Sequence, residues 1–254
     1  MGGINGNRAR PGGVQAKMIE ITTLSELTID GKLSLGPGAS SKDLFDFYGD
    51  ELRAWFHGER ARCDAIMVGA NTVRNDDPEL TVRYCEGPNP LRVVPASMGR
   101  LPLNSRLLND GRPTLVAVSH RAPASAIDAL AAKPNVEVVR CGDDRVDLAE
   151  LMTVLRVRGV RSLIVEGGSR LLHSLFEADM VSKIIIKHIP VISGALDAPT
   201  YLRAEADRSA LALSRWRLID WFVKSGVGVS IYEPLAARQP PKGHVAPAAL
   251  VAAI

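Results

Sequence analysis

The sequence predicts an α/β fold: a mostly parallel central sheet with helices on both faces and a C-terminal antiparallel hairpin. Three observations predict it. Short apolar runs of strand length alternate with amphipathic helical stretches through most of the chain. Parallel strands need crossover connections, and right-handed crossovers carry the helices outside the sheet. The last two apolar runs, RWRLIDWFV and VGVSIYEPL, are joined only by Lys224, Ser225 and Gly226, which is hairpin spacing.

In chain order, strands are expected at 18–24 (MIEITTL), 65–69 (AIMVG), 91–94 (LRVV), 114–119 (TLVAVS), 136–141 (VEVVRC), 162–168 (SLIVEGG) and 183–189 (KIIIKHI). Their apolar faces call for burial. Helices are expected at 43–62, where Leu44, Phe45, Tyr48, Leu52, Trp55 and Phe56 recur at helical spacings, and at 123–132, 147–158 and 169–178. Residues 1–17 are rich in Gly, Arg and Asn and residues 236–254 in Pro and Ala, so both read as disordered tails around a single domain at 18–235. No internal repeat or linker interrupts that body.

Of the 254 residues, 46% are hydrophobic and 23% charged, with a net charge of +3, the profile of a globular protein with one large core. Nucleic acid is not implied. The densest basic cluster, Arg156, Arg158 and Arg161, reads as a solvated helix end. Cys63, Cys85 and Cys141 are odd in number and lack a CxxC pair, so neither a disulfide framework nor a zinc site is expected, and a reducing cytoplasm fits. His57, His120, His173 and His188 share no metal spacing, so no metal is expected. The N-terminus lacks the apolar region of a secretory signal, and no window approaches the ~18 apolar residues of a membrane span.

Three segments carry chemistry. In LIVEGGSRLL an apolar strand ends in Glu166, Gly167, Gly168 and Ser169 and runs straight into a helix, the layout of an anion cradle: glycines admit a ligand close to the backbone, and a helix start offers free N–H groups. A bare strand-to-helix turn has the same look, but a carboxylate at the end of a buried strand needs a partner. In DAIMVGANTVRNDDPELTVR, Asp76, Asp77 and Pro78 force a turn, and Arg60 and Arg83 flank it as either surface residues or a bidentate clamp. In TIDGKLS, Asp30 and Gly31 make a turn ahead of Lys32.

Taken together, TIDGKLS, the TVxxDDPxLTxR string with PLRVV after it, and VEGG resemble the reductase domain of the bifunctional riboflavin-biosynthesis deaminase/reductase family and its stand-alone archaeal and fungal counterparts, over about residues 18–235. The resemblance implies a dihydrofolate reductase-like fold, NADPH as cofactor, a homodimer, and reduction of the ribosyl group of a phosphoribosylamino-pyrimidine to a ribityl chain. It implies NADPH contacts at Thr72 and Asp76 and at the cradle residues Gly167, Gly168, Ser169 and Arg170. It implies substrate contacts at Arg60, Leu80, Arg83 and Glu166, with Ser40 or Ser41 aligned loosely, and it places Lys32 near the substrate. Lys32 and Glu166 both stand open as the proton donor. Ser119 and Arg121, in the turn after TLVAVS, are expected at the adenosine 2′-phosphate.

The chain also departs from that pattern. Nothing resembles the HxE and PCxxC signature of a zinc deaminase domain. Thr28 replaces the usual Ser before DGK, Lys42 stands where a Trp is common, and SGALDAPT at 193–200 lacks a double glycine. Two other readings use the same residues: a reductase of another heterocycle, and a non-catalytic nucleotide-binding protein. The intact Asp76, Arg83, Glu166 and Gly168 argue against the second. Trp216 and Trp221 read as core or dimer surface.

Overall fold

The structure, a computed structural model, describes residues 18–203 and 214–235. The expected tails at 1–17 and 236–254 lie outside the described residues. Strand β1 (Glu20–Thr28) is followed by a 3-10 segment (Ser41–Phe47) and helix α1 (Asp50–Ala61). Then come β2 (Ala65–Met67), α2 (Ala70–Asp76), β3 (Leu91–Pro95), α3 (Arg106–Asn109), β4 (Thr114–Val118), α4 (Ala124–Ala131), β5 (Val136–Arg140) and α5 (Leu148–Val157). The chain closes with β6 (Ser162–Glu166), α6 (Ser169–Glu177), β7 (Lys183–Ile189) and the hairpin β8 (Trp216–Lys224) and β9 (Val227–Pro234).

Among the described residues these strands form one sheet in the order β5-β4-β3-β2-β6-β1-β7-β9-β8. Every pairing from β5 to β7 is parallel, while β9 runs antiparallel to β7 and β8 antiparallel to β9. Period-two alternation divides the apolar residues between two cores. Leu24, Ile66, Val94, Val116, Ile164 and Ile185 turn to one face, under Leu52 and Phe56 of α1 and Leu130 of α4. Ile21, Met67, Val93, Leu115 and Val165 turn to the other, under Leu151 and Leu155 of α5 and Leu172 and Leu175 of α6. The expected architecture, helices on both faces of a mostly parallel sheet, is the one observed.

Helix α3 was not expected, the strands expected at 65–69 and 162–168 end at Met67 and Glu166, and two further differences bear on the site. The helix expected over 43–62 breaks at Tyr48, whose backbone is extended (φ −92, ψ 114), into the 3-10 segment and α1. The break turns the Tyr48 hydroxyl inward to Glu26, 2.6 Å away, a contact that a continuous helical periodicity does not reveal. The first strand continues to Thr28 rather than ending at 24, because Glu26, Leu27 and Thr28 still pair with Lys187, His188 and Ile189 of β7.

Candidate active site

The chain starts at β1, crosses to β2 beyond the place β6 will occupy, builds outward to β5, and returns to insert β6 beside β1. A reversal of this kind opens a crevice at the carboxyl ends of the strands. A cleft of about 900 Å³ lies there, with Val68 and Gly69 after β2, Ala96 and Ser97 after β3, and Glu166 with Gly167 at the end of β6 on its walls.

One wall is backbone. Gly167 and Gly168 have φ of +79 and +91, in the left-handed region that side chains disfavour, and Gly168 is the N-cap of α6 without a side-chain hydrogen bond. Leu172 N–H is the first to bond back, to the Gly168 carbonyl, so the N–H groups of Ser169, Arg170 and Leu171 have no partner among the described residues. With the positive end of the helix dipole behind them, they favour an anion. Thr72 lies against the turn: a Cβ placed on Gly168 would be 3.6 Å from its Oγ1.

Another part of the lining is built of paired charges. Arg60, on the last turn of α1, is buried and donates from Nε and Nη2 to the two oxygens of Glu166, both at 2.6 Å, and from Nη1 to the Thr81 carbonyl at 3.0 Å. Its guanidinium lies 4.2 Å from the Phe56 ring centroid. This bidentate pair answers the desolvation of the strand-end carboxylate and at the same time anchors the 77–83 loop to α1. Arg92 adds a second anchor, reaching the Asp110 carboxylate at 2.7 Å and the Glu79 carbonyl at 3.2 Å. Burial would raise the Asp110 carboxyl, but hydrogen bonds from Arg92 and Arg112 N–H hold it down at about 2. Within the loop Leu80 is buried with φ of +55, an uncommon conformation for leucine, and Arg83 donates to Glu79 at 2.5 Å and to Thr81 Oγ1 at 2.7 Å.

Most residues singled out from the sequence come together here. Arg60, Thr72, Asp76, Leu80, Arg83, Glu166, Gly167, Gly168, Ser169 and Arg170 all line the cleft. Asp76 also holds the neighbouring segment: Ser40 Oγ donates to its Oδ1 at 2.8 Å, and Ser41 donates from N at 3.2 Å and from Oγ at 3.1 Å. Of the two serines it is Ser41 that reaches the wall, while Ser40 caps the 3-10 segment.

Besides Ser40, which lies outside the lining, three expected residues are not brought in. Lys32 lies outside the lining: it pairs with Thr200 as an isolated bridge, and its Nζ points to the Leu196 carbonyl, 3.5 Å away. Ser119 is fully buried and donates to the Ser97 carbonyl at 2.8 Å. Arg121 is exposed and paired with Asp144 at 2.8 Å, away from the cleft. In that direction the wall is made instead by Ser97 and Arg145. The DGK turn proves to be a brace. Thr28 Oγ1 donates to Asp30 at 2.7 Å, and Asp30 accepts from the N–H groups of Ser193 and Gly194 at 3.0 and 2.9 Å. These bonds lower the Asp30 carboxyl to about 2, with Thr28 the largest contributor. The brace uses the Thr28 hydroxyl, which the usual Ser would also carry, and Gly194 supplies the left-handed turn (φ +64).

The sequence reading missed Glu26, Tyr48 and Lys187, which form a buried charged cluster beside Arg60 and Glu166. Lys187 Nζ donates to Glu26 Oε1 at 2.7 Å, and the Tyr48 hydroxyl donates to the same oxygen at 2.6 Å. Burial alone would raise the Glu26 carboxyl; the Lys187 charge and these hydrogen bonds outweigh it and lower it. The available signal was period two, which puts Glu26 on the same face as buried Leu24. His57 also acts here, accepting from the Arg83 N–H at 3.1 Å. Burial, then the charges of Arg60, Arg83 and Lys187, drive it down to about 3, so it is neutral. His188 bonds Ser230 at 2.8 Å, Trp216 packs on Phe176, and Trp221 lies on the surface of β8. Among the described residues no group of three or more His, Cys, Asp or Glu side chains converges on a metal position.

With this geometry in place, comparison with known proteins is informative. Residues 20–224 match the RibD C-terminal domain. The chain is 38% identical over 205 residues to a protein of Aquifex aeolicus named 2,5-diamino-6-ribosylamino-4(3H)-pyrimidinone 5′-phosphate reductase, covering 80% of this chain and 91% of that one. It is 40% identical to a protein of the same name from Methanothermobacter thermautotrophicus, over 74% of this chain and 88% of the relative. Its fold matches the crystal structure of a pyrimidine reductase-like protein from Corynebacterium diphtheriae with a TM-score of 0.72 at 17% identity, covering 86% and 93% of the two chains.

Proposed function

The chain belongs to the RibD C-terminal domain family, whose dihydrofolate reductase-like fold it has, and on that premise we propose that it reduces the ribosyl group of a phosphoribosylamino-pyrimidine to the ribityl form, with NADPH, in riboflavin biosynthesis. The relatives' names point to the 2,5-diamino-pyrimidinone as the ring. One observation carries the reading: a single cleft joins an uncapped helix start, suited to a diphosphate, with a buried Arg–carboxylate pair, suited to a polar sugar.

NADPH supplies the hydride, so the protein needs no nucleophile of its own. The α6 N–H groups and the Gly167–Gly168 turn would hold the cofactor diphosphate, and Thr72 and Asp76 would border it. Arg145, rather than Ser119 or Arg121, lines the cleft beyond β3 and is assigned to the 2′-phosphate. Arg83 is placed to take the substrate phosphate. Glu166, locked by Arg60, would orient the sugar hydroxyls, and of the two residues open as proton donor it is the one in the cleft. Holding both reactants in register is the main contribution the chain can make to the rate.

We also propose a homodimer through the edge strand β8, where Leu218, Ile219, Trp221 and Val223 are exposed. The free cysteines suit a reducing compartment, the cytoplasm. The deciding experiment follows NADPH consumption by the purified protein offered the aminated and the deaminated phosphoribosylamino-pyrimidine. Turnover supports the reading; NADPH binding without turnover moves the function to another heterocycle, and absence of binding overturns it. Sedimentation at increasing concentration checks the dimer, and a monomer throughout refutes it.

A further inference from the structure

The Glu26–Lys187–Tyr48 cluster has no role in the reading above, and stability does not account for it. Glu26 and Lys187 stand directly opposite each other on the neighbouring strands β1 and β7. Lys187 has no exposed surface; its Nζ is 2.7 Å from Glu26 Oε1, 4.1 Å from the Phe56 ring centroid and 4.6 Å from that of Tyr48. Well-packed apolar side chains in place of a buried ion pair commonly leave stability unchanged or raised, because desolvating the pair offsets most of what it gains.

The asymmetry of the cluster is informative. Lys187 and Tyr48 both donate to Oε1, and among the described residues no other side chain donates to this carboxylate, so Oε2 has no side-chain partner. Glu26 itself reaches the cleft, its side chain 17% exposed, on a stretch of wall shared with Phe45, Phe56, Leu80 and Arg60. An apolar and aromatic slot with a fixed carboxylate oxygen at its edge suits a flat heteroaromatic ring that presents an N–H donor.

The two candidate rings differ at that point. A 2-amino-pyrimidin-4-one offers the N–H of its amino group, whereas the deaminated, uracil-type ring offers a neutral carbonyl oxygen, an acceptor whose lone pairs would face the carboxylate with no hydrogen between them. We propose that Glu26 is the specificity-determining residue that admits the 2-amino ring and rejects the 2-oxo ring, with Lys187 and Tyr48 as positioning residues that hold its carboxylate. This assignment rests on the reductase reading. Sites built to bond a substrate N–H reject analogues that lack it strongly, because the buried acceptor is left unpaired.

The test compares kcat/KM for the aminated and deaminated substrates in the wild type and in Glu26→Gln. The wild type is expected to favour the aminated substrate by about 100-fold or more. Glutamine keeps an acceptor for Lys187 and Tyr48 but adds an N–H that can meet a 2-oxo group, so the preference should narrow to within about 10-fold. A wild type that uses both equally, or a variant that loses both in equal proportion, overturns the assignment while leaving the reductase reading intact. Turnover of neither substrate by the wild type overturns both. Should Glu26→Gln not fold, binding of 2,6-diaminopyrimidin-4-one and 6-aminouracil to the wild type, titrated by NMR, decides: preference for the first supports the proposal, and equal or reversed affinity refutes it.

Discussion

The two walls of the cleft solve the same problem, presenting polar groups to a ligand, by opposite means. The α6 wall uses main-chain N–H groups and two glycines in left-handed conformation, all within residues 167–171 of the chain. The other wall uses charged side chains drawn from distant places: Arg60 and Glu166 are 106 residues apart, Glu26 and Lys187 are 161 apart. A backbone site tolerates many side-chain changes but no change of conformation. A wall of buried ion pairs responds in the other way, since removing either partner leaves a charge out of water and unpaired.

The sharpest way to break this contrast is Glu166→Ala. It strands the buried Arg60 guanidinium, so a stability loss of about 3–5 kcal/mol is expected together with loss of turnover. Denaturant unfolding and kcat/KM measure the two, and an unfolding midpoint like that of the wild type would show that the pair does not hold the wall. Next in size is Arg83→Ala, whose guanidinium is partly exposed and already shared with Glu79. Its substrate KM should rise by about 10–100-fold while NADPH affinity stays within a few fold, the signature of a lost bidentate anion contact; equal loss of both affinities would remove Arg83 from the substrate side. Gly168→Ala acts on the other wall. Forcing a Cβ into left-handed backbone costs about 1–2 kcal/mol, and the effect should fall on NADPH binding with the substrate KM unchanged.

The smallest effect expected is one of pH. His57 is neutral when folded, held down to about 3 by burial and then by Arg60, Arg83 and Lys187, whereas an unfolded histidine titrates near about 6.5. Below that pH the unfolded chain takes up a proton the folded one refuses. The contribution of His57 is therefore complete above pH ~6.5 and is lost progressively as pH falls toward 3. In His57→Asn, which keeps an acceptor for the Arg83 N–H, the dependence of the unfolding midpoint on pH over that window should flatten. An unchanged slope would assign the acid sensitivity to other groups.

The readable parts of the site were those in which motif and geometry share one stretch of chain. The strand, two glycines and helix of LIVEGGSRLL, and the DDP turn leading to Leu80 and Arg83, lie where the sequence reading put them. The turn after β4 looked equivalent, yet Ser119 faces inward to Ser97 and Arg121 faces Asp144, because which side of a turn reaches a cleft depends on the neighbouring strand. Lys32 sat in a recognisable motif but is drawn toward the 193–200 segment, a partner more than 160 residues away. The Tyr48 break was hidden because apolar periodicity cannot distinguish a continuous helix from two segments burying the same face.

The α/β class, the order of the main strands and the strand–glycine–helix cradle were legible in the chain, since each follows from local periodicity, turn chemistry and backbone freedom, while the residues of the 72–83 string were picked out by their resemblance to a family motif. Which charges meet is set by strand order. The pairing of Arg60 with Glu166 and of Glu26 with Lys187 arises from β1, β6 and β7 becoming neighbours at the crossover. A buried charge is stable only beside its partner, and that partner is chosen by strand order, which composition and spacing do not encode.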